Sequence, residues 1–207
     1  MGKGRLEGFS DGVMAVAITL LVFNLHAGVR SSVPLATQLR NQWPSFAAYV
    51  LSFFVIGVLW LNHHHLLGLA DAVDRRLAFY NLLLLLFIVA IPYATATFAD
   101  YALSRGEDAR TAVLIYAGVM EGMATSRFLM LLHILRGGLS KSPVPPDQAR
   151  KLLVRYGLAV VTFPVFAALS ISFGAPTMLV LHALLLSYYL GPAMRPLDDR
   201  RSVTDLS

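Results

Sequence analysis

The sequence predicts an all-α integral membrane protein with six transmembrane helices per chain. Hydrophobic residues make up 57% of the 207 residues, and charged residues make up only 14%. An average soluble domain carries about 25% charged residues, so this composition is typical of a membrane protein. In addition, six segments each contain the roughly 20 mostly apolar residues that a spanning helix needs.

The predicted spans are separated by short stretches that contain glycine, proline or polar residues. They cover about 6–27, 43–69, 77–102, 109–136, 150–173 and 176–194, and Pro92 interrupts the third span. The breaks between them fall at Pro34, Gly106, Gly137-Gly138, the prolines at 143, 145 and 146, and Gly174-Ala175-Pro176. Because the last break is so short, the fifth and sixth spans are expected to form a tight antiparallel hairpin. Residues 1–195 are therefore expected to form one transmembrane domain, and residues 196–207 a polar cytoplasmic tail.

The distribution of basic residues predicts the orientation of the spans. With the N terminus inside, twelve of the 17 Lys and Arg residues face the cytoplasm, and Arg127 lies within a span. The four that face outside are Arg30, Arg40, Arg105 and Arg110. The positive-inside rule therefore places both termini in the cytoplasm, in agreement with an even number of spans.

Several function classes are not expected from this composition. The chain has no cysteine, which excludes disulfides, thiol catalysis and cysteine-based metal sites. A pI of about 9.7 could indicate a nucleic-acid partner, but the basic residues lie in short loops between apolar segments. No nucleophile–base pair stands at a workable spacing, so an enzyme is not expected. The first apolar segment contains an acid and lacks a small-residue cleavage site, so it is expected to be mature structure.

Ionisable residues within a span are costly and therefore indicate function. They are Asp11, Glu121, Arg127, His133 and His182, and the run Trp60-Leu61-Asn62-His63-His64-His65 ends the second span. With the N terminus inside, Asp11 and this run lie at a similar depth and are expected to meet. Three consecutive histidines fan out around a helix, so a metal site there is not expected. Glu121 and Arg127 are each expected to pair with a residue of another helix. His133 and His182 are expected to be interfacial or core residues.

The first span has a distinct face when it is drawn at 100° per residue. Val16, Thr19 and Phe23 share this face with Gly12, while Leu20 and Ala15 lie at its two edges. Ser10 and Asp11 point away from its centre.

Two interpretations of Ser10 and Asp11 stay open at this point. They could cap the first helix by accepting hydrogen bonds from its free N–H groups. Alternatively, they could join a buried network, for which Trp60, His63 and His64 have N–H donors and Arg5 a nearby charge. A helix that began at Gly12 would have only about 16 residues up to Ala27, too few to span comfortably, which favours the network.

These motifs resemble a known family. Its signature, Arg-x-x-x-Phe-Ser-Asp, is found here at Arg5, Phe9, Ser10 and Asp11, and the Trp-x-Asn-His-His run is found at Trp60, Asn62, His63 and His64. The chain is similar in both, and over essentially its whole length, to the prokaryotic branch of the transmembrane-protein-175 potassium channels. That family lacks the Thr-Val-Gly-Tyr-Gly filter of other potassium channels, and the filter motif is also absent here.

The resemblance implies a potassium-selective channel in a prokaryotic cell membrane, with no cofactor. It implies a homotetramer whose first helices line a central pore, with K⁺ passing near Thr19. Val16 matches the apolar constriction of the family, and Leu20 and Phe23 match later pore positions. Val16 is smaller than the isoleucine or leucine that is usual there, and Phe23 replaces a common aliphatic residue. Asp11 is then expected to fasten the first helix to its neighbours rather than to bind the ion. The alternative function is a proton- or cation-coupled transporter that uses Asp11, Glu121 and the histidines as a relay.

Overall fold

The computed structural model describes residues 2–25 and 33–193, with side chains to residue 187. Over these ranges the chain forms seven α-helices and one 3₁₀ turn. The helices are α1 (Lys3–Leu20), α2 (Leu35–Asn41), α3 (Trp43–Gly68), α4 (Arg75–Tyr101), α5 (Glu107–Arg136), α6 (Pro146–Phe173) and α7 (Pro176–Ala193). The predicted tail at 196–207, together with Arg30, Arg195, Arg200 and Arg201, lies outside the described residues.

The six predicted spans correspond to the six long helices. Four of them are long and apolar enough to cross a membrane: α1 with its 3₁₀ turn, α3, α4 and α6. The helix α5 carries Glu121 and Arg127, and α7 is described with side chains only to Ser187. The chain is thus an all-α membrane protein, and membrane crossing by α5 and α7 stays a prediction.

The breaks between the helices fall where the sequence places them. Gly106, Gly138 and Gly174 all have positive φ values, a backbone conformation that favours glycine. Gly174 ends α6, and α7 begins two residues later and packs against it, so the predicted hairpin is confirmed. In contrast to the prediction, Pro92 does not interrupt the third span, because α4 runs through it as one helix.

Two further differences concern the segment before α3 and the end of α1. The short helix α2 is not predicted, since the Pro34 region reads only as a break; Pro34 is its N-cap. The predicted α-helical span 6–27 instead ends at Leu20 and tightens into a 3₁₀ turn at Leu21–Asn24. At the last residue of this turn, the side-chain amide of Asn24 donates to the carbonyl of Pro92 at 2.8 Å, which connects the end of the segment to α4.

The long helices pack as a closed ring. Each of α1, α3, α7, α6, α5 and α4 packs against the next in that order, α4 returns to α1, and α3 also packs across on α4. The closest approach is between α4 and α5, where a Cβ at Gly122 would overlap the ring of Phe87. A buried polar cluster joins α3, α4 and α5. The Ser52 and Thr95 hydroxyls lie 2.8 Å apart, and Tyr116 OH lies 3.5 Å from Ser52 Oγ. Within residues 2–25 and 33–193, the long helices with substantial contact to α1 are α3 and α4.

Candidate ion pathway and its supporting network

The helix α1 has one face packed on its own bundle and one face that this chain leaves uncovered. Leu6, Ser10, Met14, Ala17 and Leu21 are buried against the bundle. On the opposite side Val16 is 57% exposed and Phe23 is 70% exposed, and Thr19 and Leu20 are exposed with them. The four candidate pore residues therefore share the uncovered side of α1. Because the 3₁₀ turn advances about 120° per residue, Phe23 is rotated from the direction that a uniform α-helix predicts.

The hydroxyl of Thr19 is the one polar side chain among these four candidate residues. It donates its hydrogen to the carbonyl of Val16 at 2.8 Å. A hydroxyl has one hydrogen and two lone pairs, so this bond fixes the hydrogen on the helix and leaves the oxygen able to accept. Its oxygen lone pairs can contact a cation that passes along this face.

A buried chain of hydrogen bonds connects α1, α4 and α3. His63 Nε2 lies 2.7 Å from Asn81 Oδ1, and Asn81 Nδ2 donates to Ser10 Oγ at 3.0 Å. Ser10 Oγ donates in turn to the carbonyl of Leu6 at 2.8 Å. With the hydrogen of His63 on Nε2, each of the three hydrogen bonds of this chain has one donor and one acceptor. All three side chains are buried, so the chain fixes where α1 sits on the bundle.

Asp11 makes a second connection between α1 and α3. Its Oδ1 accepts a hydrogen bond from Trp60 Nε1 at 2.9 Å. Of the expected partners Trp60, His63, His64 and Arg5, Trp60 is the one that bonds Asp11 here. Both side chains are exposed in the single chain, so the expected buried acid is not observed within one chain. Since α1 begins at Lys3 with Gly2 as its N-cap, Ser10 and Asp11 lie inside the helix, which excludes the capping interpretation.

Three residues of the sequence motifs lie outside these connections. Arg5, Phe9 and His64 are exposed, and Phe9 stands on the uncovered side of α1. Within residues 2–25 and 33–193, Arg5 and His64 take no part in the hydrogen bonds of Ser10 or Asp11. The ring of His64 packs edge-on against that of His65.

The remaining ionisable residues of the spans are held separately. Arg127 reaches across to α6, where Nη2 donates to Tyr156 OH at 3.4 Å and the guanidinium lies 5.0 Å from the ring centroid. Glu121 does not pair across helices as predicted, because its Oε1 accepts from Thr125 one turn along the same helix.

The two isolated histidines differ in their surroundings. His133 Nε2 contacts Asp74 Oδ2 at 2.8 Å and joins α5 to the start of α4. His182 is buried among Tyr116, Phe163 and Phe166, as expected for a core histidine. No group of three possible metal ligands comes together in the part of the chain that the structure describes.

Outside the membrane-spanning helices, Asp74 caps α4. Its Oδ1 accepts from the backbone N–H of Leu77 at 2.8 Å, and Oδ2 faces His133. These contacts, above all the Leu77 N–H, hold the pKa of the Asp74 carboxyl below its ordinary value.

Asn81 is the important residue that sequence reasoning missed. It links Ser10 to His63, yet it stands in the apolar run Tyr80-Asn81-Leu82-Leu83-Leu84. The available signal was this single amide in a long apolar helix, since polar side chains in a membrane bundle usually bond a neighbouring helix.

Comparison with known proteins identifies the family. The profile of the family described as endosomal/lysosomal potassium channel TMEM175 matches residues 5–92, which contain most of α1, all of α2 and α3, and most of α4. A potassium channel of Streptomyces collinus is 40% identical over 190 residues, which are 90% of this chain and 91% of that protein. A potassium channel of Chamaesiphon minutus is 39% identical over 124 residues, which are 58% of this chain and 60% of that protein.

A solved structure extends the similarity to the fold. It is the crystal structure of a lysosomal potassium-selective channel TMEM175 homolog from Chamaesiphon minutus. The TM-score is 0.80 at 29% sequence identity, and the match covers 93% of this chain and 98% of that chain. With the signature residues of α1 and α3 joined as described above and a relative 40% identical over nearly its whole length, this chain belongs to the TMEM175 family.

Proposed function

We propose that this chain is a potassium channel of a prokaryotic cell membrane, with all six long helices spanning the bilayer and both termini in the cytoplasm. The observation that carries the proposal is the Streptomyces relative, a potassium channel that is 40% identical over 90% of this chain. The similarity of fold to a potassium-selective channel homolog supports it. The family is described as channels, so no enzymatic activity is proposed.

The proposed pore lies along the uncovered side of α1 in a homotetramer. In one chain this side presents Val16, Thr19, Leu20 and Phe23 to no other helix of the described bundle. Four copies of α1 around an axis would bring four valines, four threonine hydroxyls and four phenylalanines into rings. The small residues Gly8, Gly12 and Ala15 on the same exposed side would let neighbouring helices approach closely.

Selectivity in this arrangement arises from an apolar neck beside a ring of hydroxyls. An apolar constriction passes ions only where it stays wet, so the radius at Val16 sets whether the pore conducts. K⁺ loses its water more readily than Na⁺, and the Thr19 oxygens offer partial replacement. The smaller Val16 is expected to widen the neck, and Phe23 to narrow the far end.

The role proposed for Ser10, Asp11, Trp60, His63 and His64 is to position the pore helix. Ser10 and His63 support it through Asn81, and Asp11 through Trp60. Arg5, Phe9 and His64 are exposed in one chain, so their proposed contacts are with neighbouring subunits. The exposed Asp11 is proposed to be covered in the tetramer, where breaking a partner would leave a buried charge.

The proposal is tested by K⁺ flux from liposomes that contain the purified protein. Val16→Asn and Thr19→Val are expected to change the flux. Val161→Asn and Thr162→Val are matched controls on α6, because Val161 is 59% exposed and Thr162 Oγ1 donates to its own helix at 2.8 Å, as Thr19 does. A transporter predicts instead that K⁺ moves only with a coupled ion, which a pH-sensitive dye detects for protons. K⁺ flux that requires a coupled ion would contradict the channel proposal. K⁺ flux that is the same in wild type, Val16→Asn and Thr19→Val would contradict it as well.

A further inference from the structure

A groove on the outer side of the bundle combines basic and apolar side chains. It lies between α6 and α7 and has a volume of about 620 Å³. Of the four helices long and apolar enough to span a membrane, α6 is the least covered by its own chain: 11% of its apolar window is buried, against 50% for α4. The groove is therefore open to the surroundings of the bundle.

The basic side chains of the groove stand together toward the start of α6. Arg150, Lys151 and Arg155 line this part, and Val154, Leu158 and Leu185 line the apolar walls. Among the described residues, no carboxylate lines the groove, and Asp147 lies one turn before it. The groove thus places three basic side chains next to an apolar channel.

A narrow cleft behind the groove adds a further positive charge. Arg127, Arg155 and Tyr156 line it, and Arg155 and Ala159 also line the groove, so the two adjoin. The Nε of Arg127 is buried and has no hydrogen-bond partner among the described residues. The cleft has a volume of only about 20 Å³, enough for one water molecule, so a larger group would sit in the groove itself.

The position of these residues along their helices fits a membrane interface. Arg155 stands nine residues after the start of α6 and Arg127 nine residues before the end of α5, or about 13 Å from each helix end. These helices are about 42 and 45 Å long, whereas the hydrocarbon core is about 30 Å thick. Each helix is longer than the hydrocarbon core is thick. If this extra length is divided equally between the two ends of each helix, Arg155 and Arg127 lie about 6–7 Å inside the hydrocarbon boundary. Long arginine side chains reach the headgroups from that depth.

We propose that the groove between α6 and α7 is a binding site for an anionic phospholipid. The phosphate and headgroup lie against Arg150, Lys151 and Arg155, one acyl chain lies along Val154, Leu158 and Leu185, and Arg127 adds positive charge from behind. Basic pockets between membrane helices suit such headgroups, and the apolar walls distinguish a lipid from a free anion. The inference depends on the membrane location and not on the proposed ion pathway.

The test measures lipid binding to the detergent-purified protein by native mass spectrometry. Dioleoylphosphatidylglycerol is the anionic probe, and dioleoylphosphatidylcholine is the neutral control. The groove variant is Arg150→Gln/Lys151→Gln/Arg155→Gln. The matched control variant is Arg75→Gln/Arg76→Gln/Arg136→Gln, which removes three exposed arginines outside the groove. Leu158→Trp is a second groove variant that narrows the apolar part and keeps the charges.

We expect the apparent affinity for the anionic lipid to be at least about tenfold lower in the charge-removed groove variant, since each basic residue near an anionic surface contributes about fivefold. The control variant should bind the anionic lipid like the wild type, and Leu158→Trp should weaken binding as well. The proposal would be overturned if the groove variant and the control variant lost the same affinity for the anionic lipid. It would also be overturned if the wild type bound the anionic and the neutral lipid equally. Complete displacement by inorganic phosphate would assign the site to a free anion. A change of oligomer mass in the groove variants would assign the groove to a second copy of the chain.

Discussion

The substitution Asn81→Ala tests the buried hydrogen-bond chain that supports α1. It removes the hydrogen bonds at 2.7 Å to His63 and at 3.0 Å to Ser10, and leaves His63 Nε2 without its partner. A hydrogen bond between helices in a membrane bundle contributes about 0.6–2 kcal/mol. A buried donor left unsatisfied adds roughly 1–3 kcal/mol. The value for a lost hydrogen bond already includes part of the cost of the unsatisfied donor, so the two values do not add in full. We therefore expect a total loss of about 2–4 kcal/mol in the free energy of unfolding.

The assay is reversible unfolding by SDS in mixed micelles, followed by intrinsic fluorescence. Trp60 and Trp43 are the two tryptophans of the chain, and Trp60 lies one turn before His63 on the same helix. Asn62→Ala is the matched control, because Asn62 Nδ2 donates only to the carbonyl of Val58 in its own helix. That change should cost less than about 1 kcal/mol.

Two results would refute this reasoning. Asn81→Ala could leave the unfolding free energy within about 0.5 kcal/mol of wild type, the range of an ordinary surface substitution. Alternatively, Asn62→Ala could cost as much as Asn81→Ala, which would mean that any asparagine in these helices matters equally.

Further predictions concern the hydrogen bond between Asp11 and Trp60 and the cap that Asp74 forms on α4. Asp11→Ala and Trp60→Phe should each lower the yield of the proposed tetramer on size-exclusion chromatography, and the double variant should lose no more than the single ones because they break one hydrogen bond; additive losses would show that the two residues act separately. Asp74→Ala should cost about 1 kcal/mol at pH 7 through loss of the α4 cap, whereas Asp74→Asn should retain most of the stability. Because the pKa of Asp74 is lowered on folding, its charge stabilises the fold above the ordinary pKa of 3.8, and this stabilisation is lost as the pH falls through the lower folded value. The charge-dependent difference between wild type and Asp74→Asn should therefore begin to shrink in melting curves at about pH 4 and disappear only below the lowered pKa of the folded state, and a difference that grows on acidification would contradict this assignment.

The sequence predicts the long helices well because their signals are local. Apolar length and the glycine and proline breaks locate five of the six long helices within four residues at each end, whereas α1 ends at Leu20, seven residues before the predicted end of its span. The helix α2 has only seven residues, too few for a length argument to detect. The change to a 3₁₀ turn at Leu21–Asn24 was not predictable, because no proline or glycine marks that segment and Asn24 is held by Pro92 of α4.

The candidate site is predicted only in part, for the same reason. The helical periodicity of α1 separates the exposed Val16 and Thr19 from the buried Ser10. It also directs Asp11 away from that face, yet Asp11 is exposed, and Phe23 belongs to the 3₁₀ turn. A similar depth made Trp60 one of several expected donors to Asp11, and the structure pairs these two residues. The role of Asn81 depends on which helix lies between Ser10 and His63, and that is a property of the packing rather than of any one helix. Similarly, Glu121 accepts a hydrogen bond from Thr125 of its own helix. The sequence does not indicate whether an acid in a span bonds its own helix or a neighbouring one.

The most direct test of the central claim is the accessibility of α1 from the ion path. The chain contains no cysteine, so a single introduced cysteine is the only thiol that can react with Ag⁺, an ion small enough to enter a K⁺ pathway. Val16→Cys would be compared with Val161→Cys, because the two valines are 57% and 59% exposed but α6 packs only on α5 and α7 among the described helix pairs with substantial contact. We predict that Ag⁺ abolishes K⁺ flux through the Val16→Cys protein and leaves flux through the Val161→Cys protein unchanged. Flux through Val16→Cys that persists in Ag⁺ would contradict a pore lined by the first helix.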